Sequence, residues 1–222
     1  MVMALLAKLL MTKQLKFENG YIDMKNITMS LVPTFFISEL TKYFRNKNEL
    51  DKFYFLSWYW GYVLVRKINE KFNLKTPEQM YSFGMDMAEA MGIGLYKTHD
   101  YSAGNYTHFT INSPYIPFLA DIKEKKPLDY FIAGAMAGGG SLVHGSVCQN
   151  VEVTCMLEGG KICEFLTGTE TELRKRNLWE TAKSRYNLEK YYPIQKEIFS
   201  KYDENREAEI LTTIINELTY SQ

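Results

Sequence analysis

Apolar side chains that recur every three or four residues predict helices over residues 34–46 and 49–72. A third helix is predicted over 76–91, because Thr76 is a good N-cap and Pro77 suits the first helical turn. A fourth, rich in glycine and alanine, is predicted over 131–143. Its small residues favour close packing against a sheet or another helix.

Alternating or β-branched runs predict the strands. A short hairpin over 15–17 and 21–23 surrounds Asn19-Gly20, and a single strand covers 27–32. Residues 95–99 and 106–111 are predicted to pair. A last hairpin joins 150–157 to 162–166 through Glu158-Gly159-Gly160. The elements therefore mix helices with antiparallel hairpins.

The last hairpin brings two of the three cysteines together. With a three-residue loop, Cys155 faces Cys163, with Cβ atoms about 4.5–5.5 Å apart on one sheet face. That spacing suits a shared metal ion, or a disulfide after a small adjustment. A two-residue loop would instead put the sulfurs on opposite faces. Glu152 lies three residues before Cys155, and on a regular strand an odd separation puts two side chains on opposite faces. Glu152 can therefore reach the two cysteines only through a bulge or at the strand end.

Composition narrows the classes of function. The chain has 222 residues, 46% of them hydrophobic, and 26 basic residues balance 26 acidic ones. This balance provides no net positive field for nucleic acid, so nucleic-acid binding is not expected. The three cysteines are an odd number and lack the regular spacing of a disulfide-stapled secreted fold. This indicates a reducing compartment, and we predict a cytoplasmic protein. The apolar N-terminal run is too short to span a bilayer, so no transmembrane segment is predicted.

Several motifs together resemble the 4-vinyl reductase domain family, which includes the ligand-sensing domains of phenol-responsive activators. They are the Pro127-Leu128-Asp129-Tyr130-Phe131 segment, the glycine-rich helix after it, and Glu152-x-x-Cys155 followed by Cys163. The resemblance covers roughly residues 26–168. It implies an α+β fold with an antiparallel sheet of about four to five strands packed against helices. That fold is related to subunits of the transport protein particle and to haem-based nitric oxide sensors.

The resemblance also implies a zinc site. In the phenol sensors a cysteine before the helix and a Glu, Cys, Cys set of the hairpin hold zinc, which here corresponds to Glu152, Cys155 and Cys163. Asp129 stands where the first cysteine would be, and an aspartate can bind zinc through oxygen. His144 and Cys148, just beyond the helix, are the alternative fourth ligands.

An aromatic run in the second helix, residues 53–62, is either ordinary core or one wall of a ligand pocket. For the pocket we predict Trp58, Tyr59, Tyr62 and Phe131 as apolar contacts. His108, on a strand, is the candidate polar contact.

The residues and the resemblance together predict a protein that binds a small apolar, aromatic or lipid-like molecule as a sensor, carrier or scaffold, often as a homodimer. No catalytic residue is predicted, because the chain has no nucleophile–base pair or dinucleotide fingerprint. The alternatives are a subunit of a reductase acting on tetrapyrrole vinyl groups and an assembly subunit without ligand. We predict an N-terminal arm (1–25), the ligand-binding domain (26–168) and a helical C-terminal extension (169–222) with an apolar stripe at Leu211, Ile214, Ile215 and Leu218.

Overall fold

A computed structural model describes residues 2–18, 21–29, 33–122 and 126–202, together with Glu209, Thr212 and Asn216. The predicted strand over 27–32 is described only as far as Met29, and the apolar stripe predicted from Leu211 onward lies outside the described residues. The helices are α1 (Val2–Met11), α2 (Thr34–Asn46), α3 (Leu50–Phe72), α4 (Pro77–Ala90), α5 (Tyr130–His144), α6 (Glu170–Lys175), α7 (Trp179–Arg185) and α8 (Leu188–Lys201). The strands are β1 (Leu15–Glu18), β2 (Tyr21–Met24), β3 (Ile27–Met29), β4 (Leu95–Ser102), β5 (Tyr106–Asn112), β6 (Cys148–Thr154) and β7 (Cys163–Thr169).

The main sheet is antiparallel, with strand order β4-β5-β7-β6. Alternation of side chains places Phe109 and Phe165 opposite each other on its inner face, where their rings stack 5.4 Å apart. The neighbouring inner position, Thr167, contacts Gly140, so α5 covers this face. The predicted α+β fold, an antiparallel sheet packed against helices, is confirmed.

A second, three-stranded sheet joins β1, β2 and β3. It packs with α1 on the far ends of α3 and α4, in a small core that includes Leu9, Met24, Ile27, Ile68 and Met87. The N-terminal segment therefore covers the domain, and β3 pairs with the N-terminal hairpin.

Backbone signals in the sequence set the ends of α4 and α5. The Thr76 hydroxyl accepts a hydrogen bond from the Gln79 backbone N–H, and the Gln79 side-chain oxygen accepts one from the Thr76 backbone N–H, which makes a capping box with Pro77 in the first turn of α4. Helix α5 ends at Gly145, whose φ of 67° is a left-handed conformation that glycine adopts without strain.

Helices α3 and α5 pack against each other at backbone distance. A Cβ atom added at Gly138 would lie 1.9 Å from the carbonyl oxygen of Trp58, and one at Gly61 would lie 2.2 Å from that of Ala135. Glycine inside a helix costs up to about 1 kcal/mol relative to alanine. This close contact therefore explains Gly134 and Gly138 of α5.

Helices α6 to α8 belong to the same hydrophobic core as the sheet. Tyr186 stacks on Tyr54 of α3 at 3.7 Å, and Tyr191 stacks on Phe55 at 4.8 Å. The predicted division of the chain at Gly168 stays a prediction, since residues on both sides of it share this core. No helix within the described ranges is long and apolar enough to cross a membrane.

Candidate functional site

The β6–β7 hairpin gathers Glu152, Cys155 and Cys163. One potential metal-binding atom of each residue lies within 4.8 Å of the others, and all three residues are buried. Thr154 pairs with Glu164, and continuing that register places Cys155 opposite Cys163. The facing of the two cysteines is as predicted, but the connection is longer than the predicted three residues and contains a short 3-10 turn, Met156–Glu158.

A bulge brings the glutamate to the cysteines. Glu152 pairs with Phe165, whereas Thr154 pairs with Glu164, so Val153 is an extra residue in β6. Without it, Glu152 and Cys155 would point to opposite faces, because their separation is odd. The extra residue shifts the alternation of side chains by one position, so Glu152 and Cys155 lie on the same face of the sheet. The odd separation made a bulge necessary, but nothing in the sequence locates it at Val153.

Asp129 lies beside this group and has two roles. Its Oδ1 caps α5 by accepting a hydrogen bond from the Ile132 backbone at 3.2 Å. Its Oδ2 is buried without a hydrogen-bond partner, as is Oε1 of Glu152. Burial, and then the negative charge of Cys155, raise the pKa of Asp129 well above its usual range. Asp129 is not within the 4.8 Å set, so its carboxylate would have to approach to complete a four-ligand site.

The acidic groups of this cluster disfavour one another's charge. Burial and the charges of Asp129 and Cys155 raise the pKa of Glu152. A hydrogen bond from Cys163 lowers the pKa of Cys155 to about 6, and the same bond, with burial, raises that of Cys163. Two unpartnered carboxyl oxygens beside two cysteine sulfurs are a donor set that suits a divalent cation.

The two alternative ligands are engaged elsewhere. His144 Nε2 lies 3.1 Å from the Thr107 hydroxyl, and burial lowers the pKa of this histidine to about 4. Cys148 is fully buried at the start of β6, and its thiol donates to the carbonyl of Ser146. Neither belongs to the group of three.

An apolar cavity of about 80 Å³ lies between α3, α4, α5 and the inner face of the sheet. Its walls are mainly aliphatic and sulfur-containing. They include Trp60, Leu64, Val65, Met80, Met85, Met87, Met91, Met136 and Val143, with Gly61, Gly84, Gly139 and Gly140 where the backbone comes close. Methionine side chains are flexible, so this wall can adapt its shape.

Few polar groups face the cavity. The hydroxyl of Tyr96 is buried without a hydrogen-bond partner, and burial and the charge of Asp129 raise its pKa. Thr107 is already bonded to His144, and Tyr81 shares a short hydrogen bond with Thr98. Tyr96 is therefore a polar lining residue whose hydroxyl can still form a hydrogen bond.

The five predicted ligand contacts do not line this cavity. Trp58, Tyr59 and Tyr62 are buried core residues on another side of α3, where Trp58 donates to the carbonyl of Cys148 and stacks on Tyr62. Phe131 packs against Trp60, behind the cavity wall. His108 points to the outer face of the sheet and contacts Glu164 at 2.6 Å.

The cavity residues of α4 and its C-cap were not predicted from the sequence. Met80, Met85, Met87 and Met91 recur along one short segment around Gly84. Such a density of flexible apolar side chains is the signal that could have identified it.

One solved structure gives a fold comparison. The phenol-responsive sensory domain of the transcription activator PoxR, determined with phenol, superposes with a TM-score of 0.60 over 78% of this chain and 94% of that domain, at 16% sequence identity. No protein-family model matches the chain, and no curated protein does. At this identity the likeness shows a shared fold.

Proposed function

We propose that this protein binds a small, largely apolar molecule in the cavity between α3, α4, α5 and the sheet. The observation that carries the proposal is a cavity walled mainly by apolar side chains, with Tyr96 among its lining residues and the Tyr96 hydroxyl buried without a hydrogen-bond partner. Binding sites for small molecules typically combine such walls with a few polar groups that fix orientation. The shared fold with a sensory domain whose structure contains phenol supports this proposal and makes phenols the first probes.

The size of the cavity limits the ligand. An engineered cavity of about 150 Å³ holds benzene, so about 80 Å³ fits one ring only if the wall yields. Five methionines provide that adaptability. An aromatic ring buries roughly 150–250 Å², worth about 4–6 kcal/mol gross at about 25 cal/mol per Å². This corresponds to a Kd between about 1 mM and a few tens of micromolar before association costs.

The Glu152, Cys155, Cys163 group is proposed to hold a structural zinc ion, with Asp129 as the fourth ligand. Asp129 and Glu152 each have a buried carboxyl oxygen without a hydrogen-bond partner, which supports this assignment. The ligand types also fit, since zinc binds thiolate and carboxylate ligands. The ion would neutralise the clustered acids and brace the hairpin beside the Tyr96 end of the cavity. Its role would be structural, and no reaction step depends on it.

Gly84 provides the test of the cavity. Gly84 lines the cavity, and a Cβ atom there meets nothing within 4 Å, so Gly84→Leu adds four carbon atoms to this wall without a backbone clash at Cβ. Calorimetric titration with phenol should give saturable binding to the wild type and to the matched control, Gly84→Ala, and at least tenfold weaker binding to Gly84→Leu. Equal affinity in all three proteins would refute the cavity as the binding site.

A homodimer is part of the proposal. Gly134, Gly138 and Gly139 of α5 pack inside the monomer against α3. Support for the homodimer comes from α2 and the 3-10 turn Ile116–Leu119. Four aromatic side chains there are each about half exposed: Phe35, Phe36, Tyr43 and Phe118. Exposed aromatics at this density are typical of protein interfaces.

A further inference from the structure

The outer face of the main sheet carries two neighbouring histidines. Thr98 pairs with Phe109 and Asp100 pairs with His108, so His99 is an extra residue in β4. The ring of His99 lies 3.1 Å from the hydroxyl of Thr110, on the same face as His108. The two imidazole rings are 5.2 Å apart between centroids and tilted by 43°.

In each ring the Nε2 atom has a hydrogen-bond partner. His108 Nε2 lies 2.6 Å from Oε1 of Glu164. A carboxylate accepts hydrogen bonds, so this contact favours the tautomer of the neutral imidazole with the proton on Nε2 of His108, which leaves the lone pair on Nδ1. His99 Nε2 is bonded to Thr110. Within the part of the chain that the structure describes, neither Nδ1 atom has a hydrogen-bond partner.

Glu164 is itself held in place. Its second carboxylate oxygen accepts from the hydroxyl of Thr154 at 3.1 Å. A histidine that donates one ring N–H to a carboxylate, with its other nitrogen free, has the arrangement of histidine ligands in metal sites, where the carboxylate fixes the tautomer and raises ligand basicity. His108, which was predicted as the polar contact of the pocket, therefore forms its contacts on the solvent-facing side of the sheet.

We propose that His99 and His108 together bind a late first-row divalent transition metal through their Nδ1 atoms, with Glu164 as the positioning residue behind His108. Imidazole suits nickel, copper and zinc, and water would complete the coordination of an ion bound at an exposed sheet face. This site is distinct from the cysteine group, because Glu164 and Cys163 are adjacent in β7 and so point to opposite faces.

Nickel(II) is the probe, because it does not undergo redox reactions with the free thiols. The protein would first be supplied with zinc and freed of excess metal, so that the cysteine group does not compete. The chain has only three histidines, so their ring signals can be resolved by NMR. Nickel(II) should broaden the ring signals of His99 and His108 strongly and those of His144, on the other face of the sheet, much less.

Calorimetry on variants completes the test. His99→Gln lies on an exposed edge strand and should fold normally, and it should lose saturable nickel(II) binding, as should His108→Gln. Glu164→Gln should weaken binding about tenfold, the lower end for loss of an outer-shell carboxylate. The control Glu197→Gln removes the same charge from α8 and should bind like wild type. Nickel(II) affinity that is unchanged in either histidine variant, or equal in the two glutamate variants, would overturn the proposal.

Discussion

Replacement of Gly138 by alanine tests the contact on which the fold depends. The added Cβ would lie 1.9 Å from the Trp58 carbonyl oxygen, 2.7 Å from the Tyr62 nitrogen and 2.8 Å from the Trp58 carbonyl carbon. All three are backbone atoms of α3. Relief therefore requires the two helices to separate, because no side chain can rotate out of the way.

The magnitude follows from two opposing contributions. Overpacking a well-packed core costs typically 1–3 kcal/mol, and the rigid backbone contact puts this site at the upper end. Alanine's higher helix propensity returns up to about 1 kcal/mol. We expect a net loss of about 2 kcal/mol in the free energy of unfolding. For a chain of 222 residues this lowers Tm by about 4–8 °C.

Gly84→Ala is the matched control for this substitution. It also replaces a helical glycine, but its Cβ enters open space. It should therefore gain up to about 1 kcal/mol and raise Tm by about 2–4 °C. Thermal unfolding followed by circular dichroism compares the two. If Gly138→Ala is as stable as Gly84→Ala, the close approach of α3 and α5 is wrong.

Three further expectations concern metal, pH and assembly. Elemental analysis should find about one zinc per chain, and none in a Cys155→Ser, Cys163→Ser variant. The zinc should be lost as the pH is lowered, because cysteine binds zinc only when deprotonated. A metal-free wild type would contradict the site. Burial lowers the pKa of His144 to about 4, so the folded state favours the neutral imidazole. The free energy of unfolding should therefore be highest above pH 6.5 and fall by up to about 3 kcal/mol as the pH drops toward 4. A His144→Gln variant should flatten that dependence in denaturant titrations, and an unchanged slope would refute the assignment. Light scattering at micromolar concentration should give a dimer for the wild type and a monomer for Phe36→Glu, Tyr43→Glu; a monomeric wild type would count against the interface.

The helices were predictable because local signals and apolar periodicity agree. The cap formed by Thr76 and Pro77 and the periodic apolar positions of α2 and α3 fix those boundaries to within a residue or two. The pairing of β4 with β5 followed from two runs separated by a short turn. Each of these features depends on residues that are close in the chain.

Features set by contacts between distant elements were not predictable. The side of α3 that borders a cavity depends on how α4 packs across it. The aromatic run led us to predict the pocket around Trp58 and Tyr62, which do not line that cavity. The bulges at Val153 and His99 change which face a side chain occupies, and neither residue type signals a bulge. The cysteine register was predictable because it depends on a single hairpin.

The most direct test of ligand binding in the cavity is a crystal structure of the protein soaked with 4-bromophenol, in which anomalous scattering locates the bromine. The account predicts a bromine peak inside the cavity bounded by Trp60, Gly84 and Met136, with the phenol oxygen within hydrogen-bond distance of the Tyr96 hydroxyl. Crystals of Gly84→Leu should lack that peak. An empty cavity in the wild type, or a bromine bound only beside Trp58 and Tyr62, would contradict it.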